Sequence, residues 1–107
     1  MSTTERTLFS AGFSEAYLTA AHDALALRYR EAIEALRQAR WMLSEYGGEA
    51  AAVEVERRRR VHDELAAKLT VYRDLFDARL AAERHGDHDT EIRLVRAEEK
   101  VRTMEEE

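Results

Sequence analysis

Cysteine and proline are absent from this chain of 107 residues, and glycine occurs only four times. The absence of cysteine excludes disulfide bonds, thiolate metal sites and cysteine nucleophiles, and it fits a reducing compartment. The lack of proline and the shortage of glycine remove the residues that most often interrupt helices. We therefore expect a helical protein located in the cytoplasm.

Long apolar runs and basic segments are lacking as well. No run approaches the roughly 20 apolar residues of a membrane-spanning helix, and the N-terminus lacks the residue order of a signal peptide. The net charge is −5, and no segment carries the excess of positive charge typical of a nucleic-acid-binding domain. We expect no membrane partner, and the charge balance disfavours nucleic acid.

Two adjacent glycines, Gly47 and Gly48, separate two long periodic runs. Glycine just beyond the last periodic residue adopts a left-handed conformation without steric cost and ends a helix. Before this turn, apolar residues recur every three or four positions, which predicts one helix from about residue 14 to residue 46. The stripe, in which a histidine takes one position, comprises Leu18, His22, Leu25, Tyr29, Ala32, Ile33, Leu36, Ala39, Leu43 and Tyr46.

A second helix is predicted from about residue 49 to residue 85, and its apolar stripe is dense only from Leu65 to Leu80. That stripe comprises Val53, Val55, Val61, Leu65, Leu69, Tyr72, Leu75, Phe76 and Leu80. Gly86 then stops the helix, and Asp87 or Asp89 is the expected cap of a third helix.

The third helix is predicted from about residue 90 to residue 105. Its apolar face comprises Leu94, Ala97, Val101 and Met104, with Ile92 and Val95 beside it. Three glutamates follow at its end, where negative charge opposes the helix dipole, so we expect that end to fray.

The predicted fold is all-α: a long antiparallel hairpin of residues 14–46 and 49–85 with a shorter third helix. Folding at the glycine turn pairs residues whose numbers add up to about 95. The third helix then completes a three-helix bundle at one end, in which Leu80 packs in the core and Leu94, Val95 and Val101 close it, and leaves a two-helix arm at the other. We expect residues 14–107 to form one domain, preceded by a loosely structured segment of residues 1–13.

The arm carries more apolar surface than two helices alone can bury. Exposed apolar surface of that extent marks an interface, and tryptophan, tyrosine and arginine dominate interface hot spots. We expect the arm to bind a second copy, giving a homodimer or higher oligomer, or a different protein, with Trp41 as the anchor. Phe9 and Phe13 are expected to dock on the bundle or on a partner. The candidate interface comprises Phe9, Phe13, Trp41, Met42, Leu43, Tyr46, Val53, Arg57, Arg58 and Arg60.

Four successive arginines occupy residues 57–60. Four residues point almost all the way round a helix, so we expect at least one of them to face the neighbouring helix. One reading of the run is a site for phosphate, as in a dimeric regulator that contacts nucleic acid. The reading we favour is a turn of intrahelical ion pairs, since opposite charges four residues apart stabilise a helix. The expected pairs are Glu54 with Arg58, Glu56 with Arg60, Arg59 with Asp63, and Arg60 with Glu64.

Metal binding and catalysis find little support. His22 and His62 fall on apolar stripes, near residues 73 and 33 respectively, and each reads as a hydrogen-bonded histidine between helices. The cluster of His85, Asp87, His88 and Asp89 has acceptable ligand types, but it crosses a glycine turn rather than one helix face. No Glu-x-x-His pair, serine elbow or phosphate-binding glycine loop occurs.

These patterns favour a non-enzymatic protein–protein interaction module without a cofactor. A small adaptor, scaffold or inhibitor acts through contacts alone, and such proteins are common among bacterial and bacteriophage accessory proteins. The alternatives are the nucleic-acid regulator described above and a helical metal-binding protein that uses His22, His62 or residues 85–89.

Overall fold

The computed structural model describes residues 14–106, and within that range it contains three helices and no strand. Helix α1 spans Glu15–Tyr46, α2 spans Glu49–His85 and α3 spans His88–Glu106. The all-α prediction of a long hairpin with a shorter third helix is confirmed. Phe9 and Phe13 lie outside the described residues. None of the helices in this range combines the length and apolar character that crossing a bilayer requires.

The turn between α1 and α2 is made by glycine, as the sequence predicts. Gly47 and Gly48 have φ values of 64° and 99°, which side chains other than glycine rarely adopt. The amide of Gly47 donates to the carbonyl of Leu43 at 2.8 Å and so satisfies one of the last carbonyls of α1. Two residues are therefore enough to reverse the chain.

The turn between α2 and α3 combines a glycine stop with an aspartate cap. Gly86 has a φ of 60°, and the Oδ1 atom of Asp87 accepts a hydrogen bond of 2.9 Å from the amide of Thr90. This hydrogen bond from the backbone of Thr90 lowers the pKa of Asp87. Because Asp87 is the cap, α3 begins at His88, two residues earlier than predicted.

Contacts divide the described chain into two units. The three-helix unit contains residues 14–23 and 70–106, and the hairpin unit contains Ala24–Leu69. The three-helix unit holds every fully buried large side chain of the described residues: Leu18 from α1, Leu75 from α2 and Val101 from α3. Val101 is buried as predicted, whereas the expectations that Leu80 packs inside this bundle and that Val95 closes it are wrong, because both side chains are exposed.

The end of α3 is held in place by two tyrosines. Glu105 accepts hydrogen bonds from the hydroxyl of Tyr17 at 2.6 Å and from the hydroxyl of Tyr72 at 2.8 Å. These contacts join α3 to α1 and to α2. They oppose the fraying that the acidic end of the helix would otherwise undergo, and α3 is helical as far as Glu106.

The hairpin unit has a thinner core made of α1 and α2 alone. Its buried side chains are Ala32, Leu36 and Ala39 from α1 and Leu65 and Leu69 from α2. The predicted register is correct to within about one helical turn in both units. The ring of His62 lies 5.0 Å from that of Tyr29 in the hairpin unit, and the ring of His22 lies 5.6 Å from that of Phe76 in the three-helix unit.

Candidate protein-interaction surface

Large apolar side chains are exposed on both sides of the glycine turn. Trp41 is 53% exposed, Met42 45%, Tyr46 73% and Val53 62%. We call these four residues the tip surface. Leu43, which the sequence also assigns to the interface, is half-buried. Tyr46 is exposed although it continues the apolar stripe of α1, because that helix ends there and α2 has not yet begun to cover it.

Part of the tip surface lines a groove between the end of α1 and the start of α2. Ala35 and Ala39 from α1 and Ala50 and Ala51 from α2 line this groove together with larger side chains, and its volume is about 610 Å³. Small side chains let another chain approach the helix backbones closely. We call it the alanine groove, and the larger residues beside these alanines are Gln38, Trp41, Met42, Tyr46, Glu54 and Arg58.

Two aromatic rings stand together at the edge of the alanine groove. The rings of Trp41 and Tyr46 meet edge to face, with centroids 6.0 Å apart and an angle of 88° between their planes. Edge-to-face contact is a favourable geometry for aromatic pairs. The surface therefore offers a pair of aromatic rings beside an alanine-lined depression.

A second cavity lies further along the same two helices. Its volume is about 350 Å³, and it shares Ala35, Glu54 and Arg58 with the alanine groove. Its other lining residues are Arg28, Glu31, Ala32, Arg57, Val61 and Leu65. We call the surface formed by these two cavities the open face of the hairpin unit. It changes along its length, from an apolar region beside the turn to a charged region further from it.

The arginine run forms the intrahelical ion pairs that the sequence favours. Arg58 donates to Glu54 at 2.6 Å, and Arg59 donates to Asp63 at 2.6 Å. Arg60 lies 3.6 Å from Glu56. Additional contacts three residues apart join Arg57 with Glu54 and Arg59 with Glu56. The remaining expected pair, Arg60 with Glu64, is not among those formed within residues 14–106.

All four arginine side chains are exposed, and two of them, Arg57 and Arg58, line the cavity that α1 and α2 share. The carboxylate of the half-exposed Glu54 pairs with both Arg57 and Arg58. The hydrogen bond from Arg58 lowers the pKa of Glu54, and that from Arg59 lowers the pKa of Glu56. Three carboxylates thus compensate most of the positive charge that a phosphate would need.

The two stripe histidines are hydrogen-bonded, in agreement with the sequence. Nδ1 of His22 lies 3.2 Å from the carboxylate of Asp23, and Nδ1 of His62 lies 3.0 Å from that of Asp63. Each ring also packs on an aromatic neighbour, as described above, and each side chain is half-buried. The structure places the two histidines in different units.

The cluster after α2 is a cap rather than a closed set of ligands. His85, Asp87, His88 and Asp89 are all exposed, and Asp87 is engaged by Thr90. Within residues 14–106, no three histidine, aspartate or glutamate side chains are arranged so as to hold a metal ion.

Sequence reasoning missed the alanines of the groove. Ala35 and Ala39 stand four residues apart, and Ala50 and Ala51 lie in the first turn of α2, so the pattern of a small-residue face was present. Alanine is also the strongest helix former, which concealed the signal. Two other exposed residues of the hairpin unit, Leu27 and Val61, were not assigned to an interface either.

Comparison with known proteins found no matching family model, no matching curated protein and no matching solved structure.

Proposed function

We propose that this protein is a non-enzymatic interaction module, a small adaptor, scaffold or inhibitor, that self-associates through the tip surface. The observation that carries the proposal is the tip surface itself: four large apolar side chains lie exposed beside an alanine-lined groove. Exposed apolar surface of this kind marks interaction sites in soluble proteins.

Removal of this apolar surface from water would supply the free energy of association. Burial of apolar area contributes roughly 25 cal/mol per Å², and an aromatic side chain supplies the largest area of any residue. Trp41 and Tyr46 are therefore the natural anchors of an interface. Their mutual contact also reduces the entropy lost when a partner immobilises them.

The charged residues near the tip surface support binding rather than catalysis. Arg58 lines the alanine groove while its guanidinium is paired with Glu54, which lines the same groove. An ion pair at the margin of an apolar patch resembles the polar rim of an interface. The contacts that define an adaptor, scaffold or inhibitor then belong to surface that self-association leaves free.

The test is the substitution Trp41→Ala, measured by light scattering over a tenfold concentration range. We expect the parent protein to be a dimer or larger, and the variant to associate more weakly by about 2 kcal/mol or more, which is about 30-fold. Helicity, measured by circular dichroism, should be nearly unchanged because the tryptophan contributes little to the core.

Leu27→Ala is the matched control. Leu27 lies on the same helix with a similar exposure of 55%, but it lines neither cavity described above. Its substitution should leave association unchanged. A parent protein that is monomeric across the whole range, or an equal effect of both substitutions, would overturn the proposal.

A further inference from the structure

The apolar character of the open face is concentrated at one end. Met42 and Tyr46 line the face beside the turn, and Trp41 and Val53 are exposed within the same few turns of helix. Further along, the lining includes Arg28, Glu31 and Arg57. A partner that matches this face must therefore be apolar beside the turn and charged about 27 Å away, the length of the 18 residues from Arg28 to Tyr46.

The tip surface carries both a ridge and a depression. The ridge is the edge-to-face pair of Trp41 and Tyr46, and the depression is the alanine groove, whose lining includes Ala39, Ala50 and Ala51. A two-fold axis brings the same patch of both copies together, so that each feature of one copy meets its complement on the other. A surface with a ridge and a depression side by side satisfies that requirement by itself.

We propose that two copies meet turn to turn about a two-fold axis, each placing its Trp41–Tyr46 ridge against the alanine groove of the other. This inference rests on the self-association proposed above and names its geometry. It brings the four residues of the tip surface from each copy into one apolar cluster, with the Glu54–Arg58 pair of each copy at its margin.

The opposite arrangement, with the two hairpin units antiparallel, fits the charges less well. It places Met42 and Tyr46 of one copy opposite Arg28 and Glu31 of the other. Arg28 makes no ion pair within the described residues, and covering a charged group without a partner costs more than the apolar contact contributes. Turn-to-turn contact leaves Arg28 in water.

The absence of cysteine makes a clean experiment possible, because a single introduced cysteine carries the only label. Ser44→Cys places a spin label beside the turn, and Arg30→Cys places one 14 residues earlier on the same helix; both positions are exposed and line neither cavity. Distances between copies are then measured by pulsed electron resonance, in samples labelled at one position and in mixed samples.

The proposal predicts a short distance between the labels at residue 44 of the two copies. It also predicts an axial offset of about 21 Å between residue 44 of one copy and residue 30 of the other, at 1.5 Å per residue. The antiparallel arrangement predicts the reverse, with residue 44 close to residue 30 of the other copy and offset by about 21 Å from residue 44.

A pair of groove variants tests the same geometry without labels. Ala50→Gln puts a longer side chain into the alanine groove at an exposed position, with little change in helix propensity. We expect it to weaken association at least tenfold. Ala67→Gln makes the same change at an exposed position of α2 that lines neither cavity, and it should have no effect.

The outcomes separate the two proposals. A dimer that Trp41→Ala weakens but whose labels at residue 44 are far apart overturns the turn-to-turn geometry and leaves self-association standing. A dimer that tolerates Ala50→Gln as well as it tolerates Ala67→Gln also overturns the geometry. A monomer overturns both proposals.

Discussion

The same two long helices contribute to both units, but the units bury their side chains to different depths. In the three-helix unit, Leu18, Leu75 and Val101 are completely buried, one from each helix. In the hairpin unit, the deepest side chains are Leu65 and Leu69, and each keeps a small exposed fraction. Two helices enclose a single line of contact, whereas a third helix turns that line into an enclosed core.

The two units also differ in whether their polar contacts join separate helices. Glu105 of the three-helix unit joins residues from all three helices through tyrosine hydroxyls. The ion pairs of the arginine run lie within α2, on the exposed surface of the hairpin unit. The first arrangement stabilises the packing of the three helices, whereas the second stabilises α2 as a helix. The predictions below test this contrast, from the largest expected effect to the smallest.

The depth of the two cores is tested by Leu75→Ala. Because Leu75 is completely buried, the variant should lose about 2–5 kcal/mol in the free energy of unfolding, measured with urea. Leu65→Ala, which truncates one of the deepest side chains of the hairpin unit, should cost less, because a core of two helices can relax more readily around a truncated side chain. Similar losses in the two variants would remove the contrast between the units.

The tyrosine contacts of the three-helix unit are tested by Tyr72→Phe. The variant keeps the ring, which is buried, but loses the hydroxyl that donates to Glu105. A hydrogen bond to a charged group contributes about 1.5–3 kcal/mol, so the free energy of unfolding should fall by that amount. Hydrogen exchange should show the lost protection in the last turns of α3, and unchanged exchange there would contradict the role of this contact.

The same tyrosine makes a prediction about alkaline pH. Burial, together with the hydrogen bond to Glu105, raises the pKa of Tyr72. The folded state therefore favours the neutral hydroxyl of Tyr72. The stability that this hydroxyl contributes is complete below the ordinary tyrosine pKa of about 10, and it is lost as the pH rises through the raised pKa. The melting temperature of the parent protein should fall more steeply above about pH 10 than that of Tyr72→Phe.

The turn of the hairpin unit is tested by Gly48→Ala. Space is open around Gly48, so the cost comes from the backbone alone: a φ of 99° is strained for alanine, and we expect a loss of about 1–2 kcal/mol. Gly47→Asn is the control, since asparagine tolerates the left-handed φ of 64° better. A Gly48→Ala variant as stable as the parent would show that the turn has another conformation in solution.

The arginine run should give the smallest effect. Glu54→Gln removes the carboxylate shared by Arg57 and Arg58, and the loss of stability should be smaller than in the variants above because these pairs are exposed. The hydrogen bond from Arg58 lowers the pKa of Glu54. The stability that these ion pairs contribute is therefore present above the ordinary glutamate pKa of about 4.3 and is lost as the pH falls through the lowered pKa. High salt should reduce the difference between the variant and the parent protein.

Much of the fold was predictable because helical periodicity and glycine turns are local signals. The ends of α1 and α2 follow from the apolar stripes and from Gly47 and Gly48, and the antiparallel register follows from the turn. Three of the intrahelical ion pairs were predicted because a spacing of four residues places opposite charges side by side.

The remaining features depend on how each helix is rotated about its own axis, which periodicity defines only coarsely. The contact between Tyr17 and Glu105 joins residues 88 positions apart, and the type of neither residue predicts it. Val95 was assigned beside the core but points to solvent because Ala97 and Val101 take the buried face of α3. In the candidate site, Trp41 and Tyr46 were predicted from residue type, whereas the alanine groove required the positions of both helices.

The contacts of Glu105 also make α3 sensitive to changes in its length. A single residue inserted into or deleted from α3 between Val101 and Glu105 would rotate the glutamate by about 100° and shift it by about 1.5 Å along the axis. Both tyrosine hydroxyls would then lose their shared acceptor at once. Substitutions on the outer face of this helix carry no such penalty, so sequences that preserve this fold should vary in the composition of α3 far more readily than in its number of residues.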